Sequence, residues 1–225
     1  ETDRLMERTA NRPLVTGEIN KKSAYVYSIS LGFLGFLVLY TQTTELAAFI
    51  ALSANIFYSF IYTLVLKPRT NQNIVIGGAA GAAPVLIGWS ATGTNLDTGS
   101  WLLFLLVFLW TPAHFWALSI DKLNDYKDAN FPMLPTQESY KRTSIFIGIY
   151  SCATVLTSLL LAPILQLGMV YLLLSLIFGL YLMYKSYQLY RKQIKAISYF
   201  VFSNTYLAVI FLSMVADIFI TLSSI

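Results

Sequence analysis

Charged residues are scarce in this chain, and cysteine and histidine occur only once each. Only 12% of its 225 residues are charged and 56% are hydrophobic, whereas a soluble domain usually carries about twice that charged fraction. The single cysteine, Cys152, excludes an intrachain disulfide, and we expect it to pack inside its apolar segment. The longest polar stretches, residues 1–22 and 121–142, are too short for a water-soluble domain. The composition therefore excludes a soluble globular protein.

Apolar runs of membrane-spanning length recur along the whole sequence. A helix needs about 20 mostly apolar residues to cross a bilayer. Seven segments meet this requirement: residues 22–41, 45–66, 73–91, 100–120, 143–162, 168–187 and 198–221. We therefore predict an all-α, polytopic membrane helix bundle with seven transmembrane helices.

The basic residues are confined to the N-terminal segment and to alternate loops. All 15 fall within residues 1–22, 67–69, 122–142 and 185–195. The positive-inside rule then predicts that residues 1–22 and 121–142 are cytoplasmic. We expect a bacterial cell inner membrane, or the mitochondrial inner membrane if the source is eukaryotic. Because the net charge of +4 is segregated in this way, it does not indicate nucleic acid as a partner.

The start of the chain has no apolar segment that would form a cleavable signal sequence. The sequence begins at Glu1 instead of a methionine and enters charged residues directly. We therefore expect that an N-terminal segment is missing from it.

The stretch from Trp110 to Pro135 contains the only histidine and a group of aspartates. If it is one helix, the spacing places four polar side chains on one stripe: His114, Asp121, Asp125 and Asp128. Polar groups within a bilayer are functional candidates. The alternatives are a hydrogen-bonded structural histidine, and aspartates that only solvate a loop. We expect Asp217, near the outer end of the last span, to be exposed at the interface.

Carboxylates near Arg and Lys at one membrane face indicate a phosphorylated ligand. Mg²⁺ takes hard oxygen ligands and usually bridges carboxylates to substrate phosphates, whereas Arg and Lys contact phosphate oxygens directly. A diphosphate leaving group requires both kinds of contact. In the glycine-rich span, Gly77 and Gly81 either allow tight helix packing or leave space for a bulky apolar ligand.

Four motifs occur in order along nearly the whole chain. They are Arg8-Thr9-Ala10-Asn11-Arg12-Pro13-Leu14; Leu66-Lys67-Pro68-Arg69-Thr70 followed by Asn73, Gly77 and Gly78; His114-Phe115-Trp116-Ala117-Leu118; and Asp125-Tyr126 followed by Pro132-Met133-Leu134-Pro135. Together they resemble the protohaem IX farnesyltransferase (haem O synthase) branch of the intramembrane, UbiA-type prenyltransferases. The His-Phe-Trp and Pro-Met-Leu-Pro elements distinguish this branch from relatives that prenylate quinone precursors.

The resemblance implies one UbiA-type prenyltransferase membrane domain over residues 1–225, N-terminally incomplete, with nine helices in the full-length protein. It implies transfer of farnesyl from farnesyl diphosphate to a vinyl group of haem b with addition of water, giving haem O and diphosphate. The implied partners are these substrates, membrane lipid, and a haem A synthase or cytochrome oxidase assembly partner.

The resemblance also implies roles for individual residues. The Mg²⁺ ligands would be Asp3, Asp121 and Asp125, and the catalytic residues His114, Asp121 and Asp125. The diphosphate would contact Arg8, Arg12, Lys67, Arg69 and Tyr62. Haem would contact His114, Trp110 and Trp116, with His114 either handling the water or ligating the iron. The sequence departs from the family at Ala113, usually proline, and at Asn130, usually glycine, and the opening of the first Asp-rich motif lies before Glu1.

Three other functions are compatible with parts of the sequence. Prenylation of a quinone precursor has the same fold but gives no evident task to His114. A transporter or channel would explain the spans, but transport sites lie near mid-membrane, whereas these charges cluster at one surface. A non-catalytic haem-binding assembly factor would need His114 but not the carboxylates.

Overall fold

The computed structural model describes residues 9–223, with side chains described through residue 220. All regular elements in this part of the chain are helical: α1 Pro13–Thr16, α2 Lys21–Gln42, α3 Glu45–Ile56, a π-helical segment Phe57–Leu66, α4 Lys67–Arg69, α5 Asn73–Ala91, α6 Thr98–Asp121, α7 Leu123–Asp128, α8 Leu134–Gln137, α9 Tyr140–Ile164, α10 Met169–Tyr190 and α11 Ala196–Ser223. Asp3 and Arg8 lie outside the described residues.

The predicted number and positions of the spans are confirmed. Seven helical stretches are long and apolar enough to cross a membrane: Lys21–Gln42, Glu45–Arg69, Asn73–Ala91, Thr98–Asp121, Tyr140–Ile164, Met169–Tyr190 and Ala196–Ile220. The second of these joins α3, the π-helical segment and α4 into one continuous stretch. The chain is therefore an integral, multi-pass membrane protein.

The described chain divides into two compact units. Unit 1 contains the described residues up to Asn95 together with Lys122–Gln137, and unit 2 contains Leu96–Asp121 and the residues from Glu138 onward. Within unit 1, α3 packs against α2 and α5, and the π-helical segment packs against α5. Within unit 2, α9 packs against α6 and α10, and α11 packs against α10 and α6.

Polar residues in the connections fix where several spans begin. The side chain of Asn20 accepts a hydrogen bond from the Ser23 amide at 2.8 Å, before α2. Thr44 and Ser139 accept in the same way from amides in the first turns of α3 and α9. These caps satisfy amides that have no partner within the helix. Each local sequence thus sets the start of its helix.

Unit 2 is held together by small and hydroxylated residues between its helices. A Cβ on Gly179 of α10 would lie 2.8 Å from Val155 of α9, so the two helices approach closely there. The hydroxyl of Tyr206 donates to Ser158 Oγ at 2.8 Å, and that of Tyr171 donates to the Ser158 carbonyl at 2.7 Å. Interhelical hydrogen bonds and small residues are the usual means of helix association within lipid.

Two predictions about exposure are wrong. Asp217 is buried, at 4% exposure, and its carboxylate accepts hydrogen bonds from the backbone amides of Gly168 and Tyr171. These amides lie at the start of α10, where a helix leaves N–H groups unpaired and carries positive partial charge. Cys152 is exposed on α9 and is not packed in its interior.

The continuous polar stripe expected from His114 to Asp128 does not form. Helix α6 ends at Asp121, and α7 begins at Leu123. Between them Lys122 has φ −104° and ψ 32°, outside the helical region, so the 100° repeat of the helix is interrupted. The prediction of one stripe is therefore wrong beyond Asp121.

Candidate active site

The π-helical segment places Tyr62 and Lys67 in direct backbone contact. In a π-helix the hydrogen bonds join residues five apart, and the amide of Lys67 donates to the carbonyl of Tyr62. Such segments are rare and are frequently found at functional sites. The hydropathy pattern cannot distinguish them from an α-helix, so this feature was not predicted.

The ring of Tyr62 lies directly against Gly77 of α5. A Cβ added to Gly77 would lie 2.5 Å from Cε2 of that ring, whereas a Cβ on Gly81 would meet no atom within 4 Å. Tyr58 also stacks on Tyr62, with ring centroids 5.3 Å apart. Gly77 therefore serves close packing, the first of the two interpretations of the glycine-rich span, and it sets the position of Tyr62.

Asn73 ties the basic turn at Lys67–Arg69 to the segment that follows α7. Its buried side-chain amide donates to the carbonyl of Lys67 at 3.4 Å and to that of Pro132 at 3.3 Å. The ammonium of Lys67 lies 4.8 Å from the ring centre of Phe131. The guanidinium of Arg69 is exposed and has no partner among the described residues. Unit 1 thus holds Lys67 and presents Arg69 to its surroundings.

The segment carrying Asp125 is folded back on itself. Asp125 lies half-buried in the first turn of α7, an electrostatically favourable position for a carboxylate. The amide of Phe131 donates to the Tyr126 carbonyl at 3.0 Å, and Thr136 Oγ1 donates to the Met133 carbonyl at 2.7 Å. Asn130 has φ +52°, a left-handed conformation that suits glycine and is tolerated by asparagine. The departure from the family's glycine is therefore compatible with the fold.

The donor chemistry of Asp125 fits Mg²⁺ in a substrate-bridged mode. Among the described residues there is no group of three or more His, Cys, Asp and Glu side chains that would hold a metal alone. Mg²⁺ instead commonly binds one or two carboxylates and completes its shell with phosphates and water. The half-buried Asp125 carboxylate has no hydrogen-bond partner in the described chain and is available for this mode.

In unit 2, His114 is enclosed by aromatic rings and a serine. It is 5% exposed, and the rings of Trp110 and Phe200 stack against it, each with its centroid 4.2 Å away. His114 Nδ1 lies 2.7 Å from Ser203 Oγ. Trp110 Nε1 donates to the Ser203 carbonyl at 2.8 Å. Helices α6 and α11 together fix the orientation of the imidazole.

Trp116 packs against α9, and Asp121 is at the end of α6. Trp116 is 1% exposed and meets the edge of Tyr150 of α9, with ring centroids 5.3 Å apart. Asp121 is the last residue of α6 and is exposed. Of the predicted haem contacts, the structure therefore brings together Trp110 and His114 but not Trp116.

Of the residues predicted in the N-terminal segment, Arg12 is exposed and directly precedes α1. Asp3 and Arg8 lie outside the described residues.

Three residues that contact the site, Phe131, Phe200 and Ser203, were not predicted as site residues. Each of them is far in sequence from the residue that it contacts. Only Phe131 could have been suspected from the sequence, because it directly precedes the Pro-Met-Leu-Pro motif.

The helical fold has a counterpart among solved structures. It is similar to the apo structure of a UbiA homolog from Aeropyrum pernix K1, with a TM-score of 0.74 over 96% of this chain and 80% of that one. The sequences are 18% identical, so this likeness shows the fold alone.

The sequence identifies the family. The pattern of the UbiA prenyltransferase family matches residues 1–215, and the chain therefore belongs to this family. It is 43% identical over 219 residues to the protein named protoheme IX farnesyltransferase of Thermus thermophilus, and 41% identical over 222 residues to that of Clavibacter sepedonicus. Each match covers 96% of this chain. The chain spans 36% of the Thermus relative and 72% of the Clavibacter relative.

Proposed function

We propose that this chain contains the catalytic and substrate-binding residues of a protohaem IX farnesyltransferase. The reaction joins the farnesyl group of farnesyl diphosphate to a vinyl group of haem b, adds water, and releases haem O and diphosphate. The observation that supports this most strongly is the 41% to 43% identity to proteins of that name over nearly the whole chain. The four sequence motifs and the prenyltransferase fold agree with it.

The diphosphate is assigned to unit 1. Lys67 and Arg69 supply positive charge from one short turn, and Tyr62 is joined to that turn by the backbone. Arg12, with Arg8 before it in sequence, would add further cations. Cations and carboxylate-bound metal together stabilise the negative charge that develops on a departing diphosphate. Mg²⁺ bound through Asp125, with Asp121 and Asp3 as the other expected ligands, would supply Lewis acidity.

The porphyrin end is assigned to His114 and Trp110 in unit 2. Loss of diphosphate leaves an allylic cation, and the electron pair of the vinyl group forms the new carbon–carbon bond. Water then adds to the resulting cation and loses a proton. His114 either accepts this proton or ligates the haem iron, and the surrounding rings exclude other solvent from it.

The charge distribution supports a proposal for the orientation of the protein in its membrane. We propose a bacterial cell inner membrane, or the mitochondrial inner membrane if the source is eukaryotic. The positive-inside pattern supports an orientation with residues 1–22 and 121–142 cytoplasmic. A haem A synthase or a cytochrome oxidase assembly factor would receive the product, since haem O is poorly soluble in water.

Product formation tests the proposal directly. The full-length protein in lipid nanodiscs is incubated with haem b, farnesyl diphosphate and Mg²⁺, and the products are analysed by mass spectrometry. The proposal predicts haem carrying one added farnesyl group and one added water. Matched reactions replace haem b with an aromatic quinone precursor or omit farnesyl diphosphate. Prenylation of the aromatic acceptor alone would support the quinone alternative and contradict the proposal.

A further inference from the structure

The hydrogen bonds of Ser203 determine which nitrogen of His114 carries a proton. Ser203 Oγ lies 2.7 Å from the Phe200 carbonyl oxygen and 2.7 Å from His114 Nδ1. Two oxygens at that distance require a proton between them, and a serine hydroxyl has only one to give. The Ser203 proton therefore points to Phe200, and Oγ accepts from His114. The imidazole is then protonated at Nδ1, with a lone pair at Nε2.

We propose that Ser203 is a positioning residue that holds His114 as the Nδ1–H tautomer and so presents Nε2 as the reacting nitrogen. This rests on the proposed function. The hydrogen bond between His114 and Ser203 is made at Nδ1, and the Phe200 carbonyl is a further acceptor beside the imidazole. Nε2 is not one of the fully buried unpaired atoms of the described residues. It is thus the ring nitrogen that remains available to substrate.

The aromatic neighbours prevent the ring from changing this assignment by rotation. Trp110 and Phe200 both stack on the imidazole, at interplanar angles of 21° and 25°. Trp110 is itself held by the hydrogen bond to the Ser203 carbonyl. Ser203 is fully buried, at 0% exposure. The same residue therefore fixes the tautomer through its hydroxyl and one stacking ring through its backbone.

Both roles open to His114 require this tautomer. In the hydration step, a water O–H bond breaks, its proton moves to the lone pair of Nε2, and the oxygen bonds to the carbon cation. In iron ligation, the lone pair of Nε2 binds the metal, and the opposite N–H commonly donates to a fixed acceptor. An imidazole protonated at Nε2 performs neither role. Ser203 therefore acts through His114 and not on the substrate.

Nitrogen NMR reads the tautomer without depending on activity. The full-length protein is labelled with ¹⁵N-histidine, and the His114 signals are identified by their loss in His114→Gln. The expected spectrum shows a protonated, pyrrole-type Nδ1 and an unprotonated, pyridine-type Nε2. The reverse pattern in the wild-type protein would overturn the proposal.

Variants separate positioning from general stability. Ser213 is a matched control because it is also buried on α11 and donates to a carbonyl three residues earlier, but it has no described contact with His114. Ser203→Ala is expected to lower turnover about 10- to 100-fold and to give a mixture of the two tautomers. Ser203→Thr keeps the hydroxyl and is expected to retain both wild-type turnover and the Nδ1–H tautomer. Ser213→Ala is expected to change neither. This role would be contradicted if Ser203→Ala kept wild-type turnover and the Nδ1–H tautomer. It would also be contradicted if Ser213→Ala lost as much turnover as Ser203→Ala.

The outcome also distinguishes this proposal from the proposed function. Absence of farnesylated haem from the wild-type protein would overturn the function and, with it, the role of Nε2 in transfer. An active wild-type enzyme with the proton on Nε2 would overturn the Ser203 proposal alone. If Ser203→Ala does not fold, the wild-type spectrum still decides the tautomer.

Discussion

The side-chain amide of Asn73 donates a hydrogen bond to the carbonyl of Pro132, 59 residues further along the chain. The same amide nitrogen also donates to the carbonyl of Lys67. One buried side chain therefore joins two of the sequence motifs within unit 1: the basic turn and the Pro-Met-Leu-Pro segment after α7. The proposed diphosphate site depends on this connection.

Replacing Asn73 with alanine should separate the two segments. It leaves the two part-buried carbonyls without these donors, and a lost hydrogen bond of this kind costs about 0.5–1.5 kcal/mol. We expect a lower melting temperature in detergent and a raised KM for farnesyl diphosphate. The adjacent Gln72 is exposed, so Gln72→Ala serves as the control and should leave both values unchanged. An unchanged KM in Asn73→Ala would contradict a positioning role for this residue.

Removing the charge of Lys67 should weaken the interaction with diphosphate. A hydrogen bond to a charged group contributes about 1.5–3 kcal/mol, so kcat/KM in Lys67→Met is expected to fall about tenfold to a hundredfold. Lys127, exposed in the last turn of α7, provides a lysine of the same unit as a control. Steady-state diphosphate release measures the effect. Equal losses in Lys67→Met and Lys127→Met would indicate general electrostatic attraction instead of a specific contact.

The two glycines of α5 should respond differently to the same substitution. Gly77→Ala forces a methyl group into the ring of Tyr62, and overpacking of this kind costs about 1–3 kcal/mol. Gly81→Ala meets open space and should stabilise the helix by about 0.5–1 kcal/mol. Thermal unfolding and the KM for farnesyl diphosphate are measured for both. A Gly77→Ala protein as stable and as active as Gly81→Ala would show that Tyr62 does not need its present position.

The membrane architecture was predictable because it depends on composition over about 20 residues at a time. Each span is predominantly apolar, so hydropathy located all seven without knowledge of their partners. The π-helical segment at Phe57–Leu66 escaped prediction because an i to i+5 hydrogen bond leaves no mark in hydropathy.

The contacts of the site were less predictable because they join distant parts of the sequence. Ser203 resembles any membrane serine that bonds to its own helix, and its pairing with His114 spans 89 residues. Asp217 was judged from its position near a helix end, but its partners are the amides of another helix. The family motifs identified Lys67, Asp125 and His114 as candidates, and the structure supplied the neighbours that orient Lys67 and His114.

The central claim is that Asp125 acts in a metal-assisted departure of diphosphate. Asp128 is the matched control, because it is an exposed aspartate on the same short helix. The decisive measurement is Mg²⁺-dependent diphosphate release, coupled to haem O formation, by full-length Asp125→Asn and Asp128→Asn proteins. The account predicts loss of both activities in Asp125→Asn and near wild-type values in Asp128→Asn. Wild-type, Mg²⁺-dependent release by Asp125→Asn would contradict it.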